Sequence, residues 1–175
     1  MSNRNFVRAA LLALCLCAVV AAQPQCSNQT LAGTWAYKGI GWTIPTGQSD
    51  AVPLTMIGVI TVDYSGKSGG PGTEISGAAV PGTPIPAGQP LDFDIVNGTI
   101  QVTADCTAVF KYSIQLKGMG PMPPIGPYVD RLVVMPTQNE VYGMSVASPL
   151  SKPMDVYSMK QISHAPVSVS WPAAQ

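Results

Sequence analysis

The chain predicts an all-β fold, a single eight-stranded antiparallel up-and-down barrel, with a two-sheet β-sandwich as the alternative. Three observations carry this. Apolar residues recur at every second position in segment after segment, whereas no window beyond residue 22 sustains a 3.6-residue period. Glycine and proline number 17 each among 175 residues and gather between the alternating runs, where turns are needed. The composition, 46% apolar and 10% charged, suits one domain with a real core and not a charged disordered tail.

Residues 1–22 read as a secretory signal. Arg4 and Arg8 supply the positive start, 9–20 the apolar stretch, and Val20-Ala21-Ala22 a small-residue cleavage site. No other segment approaches the roughly 20 apolar residues of a membrane-spanning helix, so no membrane span is expected after cleavage. The expected mature chain is secreted, extracellular or periplasmic, and carries seven basic against nine acidic residues. Such a near-neutral chain lacks the basic surface of a nucleic-acid binder.

The first strand is expected at 33–42 and the second at 52–63, with Ser65-Gly66-Lys67-Ser68-Gly69 as a turn before a third at 72–80. Residues 91–96 alternate as well and end at Asn97-Gly98, a strong hairpin signal; they form a ninth short strand or lead into the next one, at 99–104. The clearest alternation is 107–117. There Ala108, Phe110, Tyr112, Ile114 and Leu116 share one face, and Lys111, Ser113, Gln115 and Lys117 the other. A tight connection at Asp105-Cys106 precedes it. Strands at 128–135, 140–146 and 154–161 follow, with Asn139-Glu140 turning the chain between two of them. Segments 81–90 and 118–127 are dense in Pro and Gly and are expected as loops, because proline cannot donate to a ladder. The barrel domain is thus expected at 23–163, with a Pro-containing tail at 164–175. A barrel also removes the exposed edges that so many short strands would leave.

Cleavage at Ala22 removes Cys15 and Cys17 and leaves Cys26 and Cys106. Two cysteines in an exported chain are expected to pair, closing a loop of roughly 80 residues worth about 4 kcal/mol in the chain-entropy model.

Gly33-Thr34-Trp35, preceded by Leu31-Ala32, resembles the Gly-x-Trp opening of lipocalins and the related opening of avidins. The resemblance implies that Trp35 closes one end of the barrel. The chain departs from both families. Residues 161–175 contain Pro166 and Pro172 in place of the lipocalin helix, and Trp35, Trp42 and Trp171 leave the later strands without the tryptophans that line an avidin biotin site. What remains looks like the wider calycin-type group, including the allene oxide cyclase and dirigent barrels, whose cavities bind or steer small molecules.

Chemistry is sparse. The one histidine, His164, argues against His-based metal sites and most triads, and no metal or cofactor is expected. Ser65-Gly66-Lys67-Ser68 contains a Gly-Lys-Ser triplet, but Thr61 stands where a phosphate loop needs its first glycine. Asp92 and Asp94 are expected on a solvated face opposite Leu91, Phe93 and Ile95. Asn28 and Asn97 each open an N-glycosylation sequon. Trp35, Tyr37, Met56, Phe110, Tyr112, Tyr142 and Met144 are the candidate inward residues, a mixture that suits an adaptable cavity for an apolar small molecule. Asp130 and Glu74 are the candidate interior polar groups. Asp130 faces inward if Leu132 and Val134 do; the other register puts Arg131, Val133 and Met135 inside. Three readings follow: a secreted binder of an apolar small molecule, a cofactor-free isomerase or cyclase, and a non-catalytic structural or surface-interaction protein.

Overall fold

The computed structural model describes residues 25–79, 83–164 and 168–169. The expected signal at 1–22, Val80 and most of 165–175 lie outside them. Eight strands follow a short 3-10 turn at Asn28–Leu31: β1 Gly33–Pro45, β2 Val52–Val62, β3 Lys67–Ser76, β4 Pro90–Val102, β5 Thr107–Leu116, β6 Ile125–Met135, β7 Glu140–Ala147 and β8 Ser151–Ser163. Each strand pairs antiparallel with its neighbour in sequence, and β8 returns to β1 in a register running from Thr34↔Ser163 to Pro45↔Ser151. That last pairing closes the sheet. It excludes the sandwich.

Strand ends reach into both expected Pro-Gly loops, with Pro90 opening β4 and Ile125–Pro127 opening β6, and two further local expectations change. The turn before β3 is shorter than its glycines suggest, because Asp63 Oδ1 accepts the backbone N–H groups of Ser65 and Lys67, both at 2.9 Å, and β3 begins at Lys67. Asn97-Gly98 is not a hairpin turn. Asn97 has φ 53° and sits at a register shift between Val96 and Thr99, so 91–96 and 99–102 are one bulged strand.

The three turns β2–β3, β4–β5 and β6–β7 lie at one end of the barrel and share a device. Each puts a left-handed residue just before the returning strand: Gly66 (φ 88°), Cys106 (φ 65°) and Asn139 (φ 52°). Cys106 lacks the freedom of glycine there, and a left-handed conformation costs an ordinary residue about 1–2 kcal/mol. Its disulfide to Cys26 (Cα–Cα 5.0 Å) ties the turn to the N-terminal segment across 80 residues.

That segment plugs this end. Asn28 donates from Nδ2 to Ser65 O (2.8 Å) and accepts the Val102 N–H at Oδ1 (3.0 Å), so the first sequon's amide is engaged at both atoms, whereas Asn97 is exposed. Leu31 is wholly buried beside Trp35, whose Nε1 donates to Leu31 O at 2.8 Å. Ile60, Val62, Ile100, Leu132, Val134 and Val141 complete a solid apolar layer here. Replacing both Cys26 and Cys106 by serine should lower the unfolding free energy by about 2–4 kcal/mol; equal urea midpoints for the double variant and the oxidised parent would refute this. The four other connections, including both Pro-Gly loops, lie at the opposite end.

Candidate functional site

Above the plug the barrel is not filled. A cavity of about 110 Å³ reaches from Ile60, Phe110 and Met159 up to Pro45, Ala79 and the 148–151 connection at the loop end. Strand alternation decides what lines it. On β6, Leu132 and Val134 face inward, and so therefore does Asp130, which is 1% exposed, while Arg131 is outside. Glu74 on β3 lines the same cavity, as does Asp155 on β8, which is 3% exposed. Three carboxylates from three strands thus share an otherwise apolar, aromatic space.

Four tyrosines accompany them: Tyr37, Tyr112, Tyr128 and Tyr157. Phe110, Tyr112 and Tyr128 form a stacked ladder, with centroids 4.4 Å and then 5.3 Å apart. Glycines make room for the others. A Cβ on Gly143 would strike the Tyr157 ring, and a Cβ on either of the paired residues Gly58 and Gly72 would strike the Tyr37 hydroxyl. The glycines of these strands are seats for tyrosine rings.

The polar contacts are incomplete. Tyr157 OH donates to Asp130 Oδ2 and Ser145 Oγ donates to Asp155 Oδ2, both at 2.8 Å. Asp130 Oδ1 and Tyr37 OH are buried and have no hydrogen-bond partner among the described residues. Burial pushes the carboxyls of Asp130 and Glu74 up to about 7, and the negative charge of Asp155 adds to both shifts. The hydrogen bond from Tyr157 restrains the rise at Asp130. Asp155 is raised as well, chiefly by burial. All four tyrosines are raised, burial again first among the causes. Among the described residues no group of three or more His, Cys, Asp or Glu side chains is arranged to hold a metal ion.

Of the residues singled out from sequence, Tyr37, Met56, Phe110, Tyr112, Asp130 and Glu74 line the cavity. Trp35 is inward but lies below it, in the plug. Tyr142 and Met144 are corrections. Each is 51% exposed, because β7 turns Val141, Gly143 and Ser145 inward. Both faces of β7 carry apolar side chains, so its alternation could not decide the direction. Outside, Met144 pairs with Val156, which pairs with Ile40, in an exposed apolar stripe over β7, β8 and β1. Asp92 and Asp94 are on the outer face, accepting from Thr73 Oγ1 (2.6 Å) and pairing with Lys117 (2.8 Å). His164 is exposed beyond β8, at the plugged end. Sequence reasoning missed Tyr128, Ser145, Asp155 and Tyr157. Parity would have found three of them: Tyr128 is two residues from Asp130, and Asp155 and Tyr157 lead to the inward Met159.

Fold and site together define a closed eight-stranded antiparallel barrel, plugged at one end, with an acidic, tyrosine-rich cavity toward the other. No protein-family model, curated protein or solved structure matches this chain.

Proposed function

We propose that the protein is an exported binder of a small, mainly apolar molecule held inside the barrel. The observation that carries this is the cavity itself, about 110 Å³ and walled by Phe93, Phe110, Ile60, Leu91 and Met56 beside the tyrosines. Apolar cavities of roughly 150 Å³ admit a benzene ring, so the ligand's buried part is about one ring in size. Export is supported by the signal-like residues 1–22 and by the Cys26–Cys106 disulfide. Lys38, Lys111, Arg131 and Lys160 are exposed while the interior is apolar. Charged side chains spread over the outer faces of β1, β5, β6 and β8 support a barrel in water, since they are costly on a lipid-facing surface. The Gly33-Thr34-Trp35 opening and the buried Trp35 of the plug support reading it as a calycin-type barrel.

A solvatochromic apolar dye should bind the exported protein near one-to-one. Phe110→Asp should abolish that binding, and Met56→Trp, which fills space without adding charge, should weaken it tenfold or more. If no apolar dye or ligand binds, the barrel is structural and its outer surface makes the contacts. A second reading, a cofactor-free isomerase or cyclase, is favoured by one observation. Asp130, titrating near 7 and hydrogen-bonded to Tyr157, is poised as a general acid or base in a water-poor space. Positioning of a reactive substrate would supply the rest.

A further inference from the structure

We propose that the molecule this cavity takes is a small organic cation, an ammonium group set among Glu74, Asp130 and Asp155 with an apolar or aromatic body against the Phe110–Tyr112–Tyr128 ladder. The proposal rests on the binder reading and adds the chemical class of its ligand.

Charge is the first argument. Three carboxylates face one cavity, and none of the residues lining it is Lys, Arg or His. A buried carboxylate is ordinarily paired or fully hydrogen-bonded. Here the hydroxyls of Tyr157 and Ser145 each satisfy one oxygen, and Asp130 Oδ1 is left buried without a partner. An ammonium nitrogen offers the donors and the positive charge these oxygens lack, and an anion would meet only repulsion. The second argument is aromatic. Stacking covers both faces of Tyr112, and a ring face left open at either end of the stack, on Phe110 or Tyr128, attracts a desolvated cation more strongly than a neutral group.

Acidity then gives the pH dependence its sign. The titratable groups facing the three acids are Tyr37 from β1, Tyr112 from β5, Tyr128 from β6 and Tyr157 from β8, all of which stay protonated below pH 10 because burial raises them. Strands β2 and β4 contribute only apolar side chains such as Met56 and Phe93, and β7 contributes Ser145. With Glu74 and Asp130 titrating near 7, an ammonium ligand must drive protons off, so its affinity rises as the pH rises. A neutral carbonyl or ether ligand, accepting from the protonated acids, would show the opposite slope.

The test is calorimetric titration of the exported protein with 2-phenylethylamine, 2-phenylethanol and 3-phenylpropanoate at pH 5.5 and 8. The amine should bind at least tenfold more tightly than the alcohol at pH 8, and this advantage should shrink about tenfold at pH 5.5. Asp155→Asn should remove most of the advantage, read as the ratio of amine to alcohol affinity within the variant itself. Glu74→Gln serves as the second variant, should the first fail to fold. An alcohol or carboxylate that binds as well as the amine overturns the proposal, as does an amine advantage indifferent to pH and to both variants. Should an apolar dye bind while the amine does not, the cation proposal falls and the binder reading stands. Failure of dye, alcohol and amine alike removes the binder reading, and the proposal with it.

Discussion

Trp35→Ala should destabilise the barrel by about 3–5 kcal/mol, the range for removing a large aromatic side chain from a packed interior. Trp35 is 2% exposed and sits between Leu31 and the inward residues of the plug layer. Its loss opens a void that the closed sheet cannot collapse around, because β1 is held on both sides by β2 and β8. It also strips Leu31 O of the indole N–H that satisfies it. Trp35→Phe separates the two contributions: most of the packing returns while the hydrogen bond stays broken, so about 1–2 kcal/mol of the loss should persist. Urea midpoints of the two variants decide the matter, and an alanine variant within about 1 kcal/mol of the parent would mean that this end is not sealed as described. Because Trp35 lies below the cavity, a Trp35→Phe protein that folds should keep its dye affinity.

Asp130→Asn should change how stability depends on pH. In the folded protein the Asp130 carboxyl is raised from its ordinary range to about 7, chiefly by burial. Below about pH 4 it is protonated in the folded and unfolded chains alike, and its stabilising contribution is fully present. Between about pH 4 and 7 the unfolded chain releases a proton that the folded chain retains, so stability falls as the pH rises and levels off above 7. At about 1.4 kcal/mol per pKa unit the loss is on the order of 4 kcal/mol. Glu74 adds a loss of the same sign. The asparagine amide does not titrate, so the variant should gain on its parent by several kcal/mol between pH 4 and pH 8. Asp63 and Asp105, held low mainly by hydrogen bonds in their turns, have the opposite slope at acid pH. They are common to both proteins and cancel in the difference. Parallel stability curves would show that Asp130 is not in the low-dielectric setting described.

Much of the barrel was legible because its signals are local. Period-two alternation marked most of the strands, β5 most clearly, whereas the glycines in the first half of β3 leave it no such pattern. The errors came where local chemistry serves two structures equally well. Asn97-Gly98 suits a left-handed turn and a left-handed bulge alike, and only the pairing of Val96 with Ser113 on one side and of Gly98 with Ser68 on the other makes it a bulge. Ser65–Gly69 contains more turn formers than the turn uses. Closure was the hardest feature to read, since the Thr34↔Ser163 pairing joins residues from opposite ends of the sequence and leaves no local trace. Within the site, parity sufficed where one face was plainly apolar, as on β5, and failed on β7, where Val141 and Tyr142 are equally credible inward residues. Asp155 and Tyr157 were within reach of the same parity argument. The glycines that seat Tyr37 and Tyr157 were not, because each makes room for a side chain from another strand.

A ligand that enters the barrel is reported directly by the methionine methyl groups. Met56 and Met159 line the cavity, whereas Met144 and Met154 lie outside, 51% and 47% exposed. In a methyl-detected NMR titration of the protein with 2-phenylethylamine or an apolar dye, the Met56 and Met159 signals should shift and saturate near one equivalent while those of Met144 and Met154 stay in place. Shifts confined to Met144 and Met154, or none at any methionine under saturating ligand, would contradict the account.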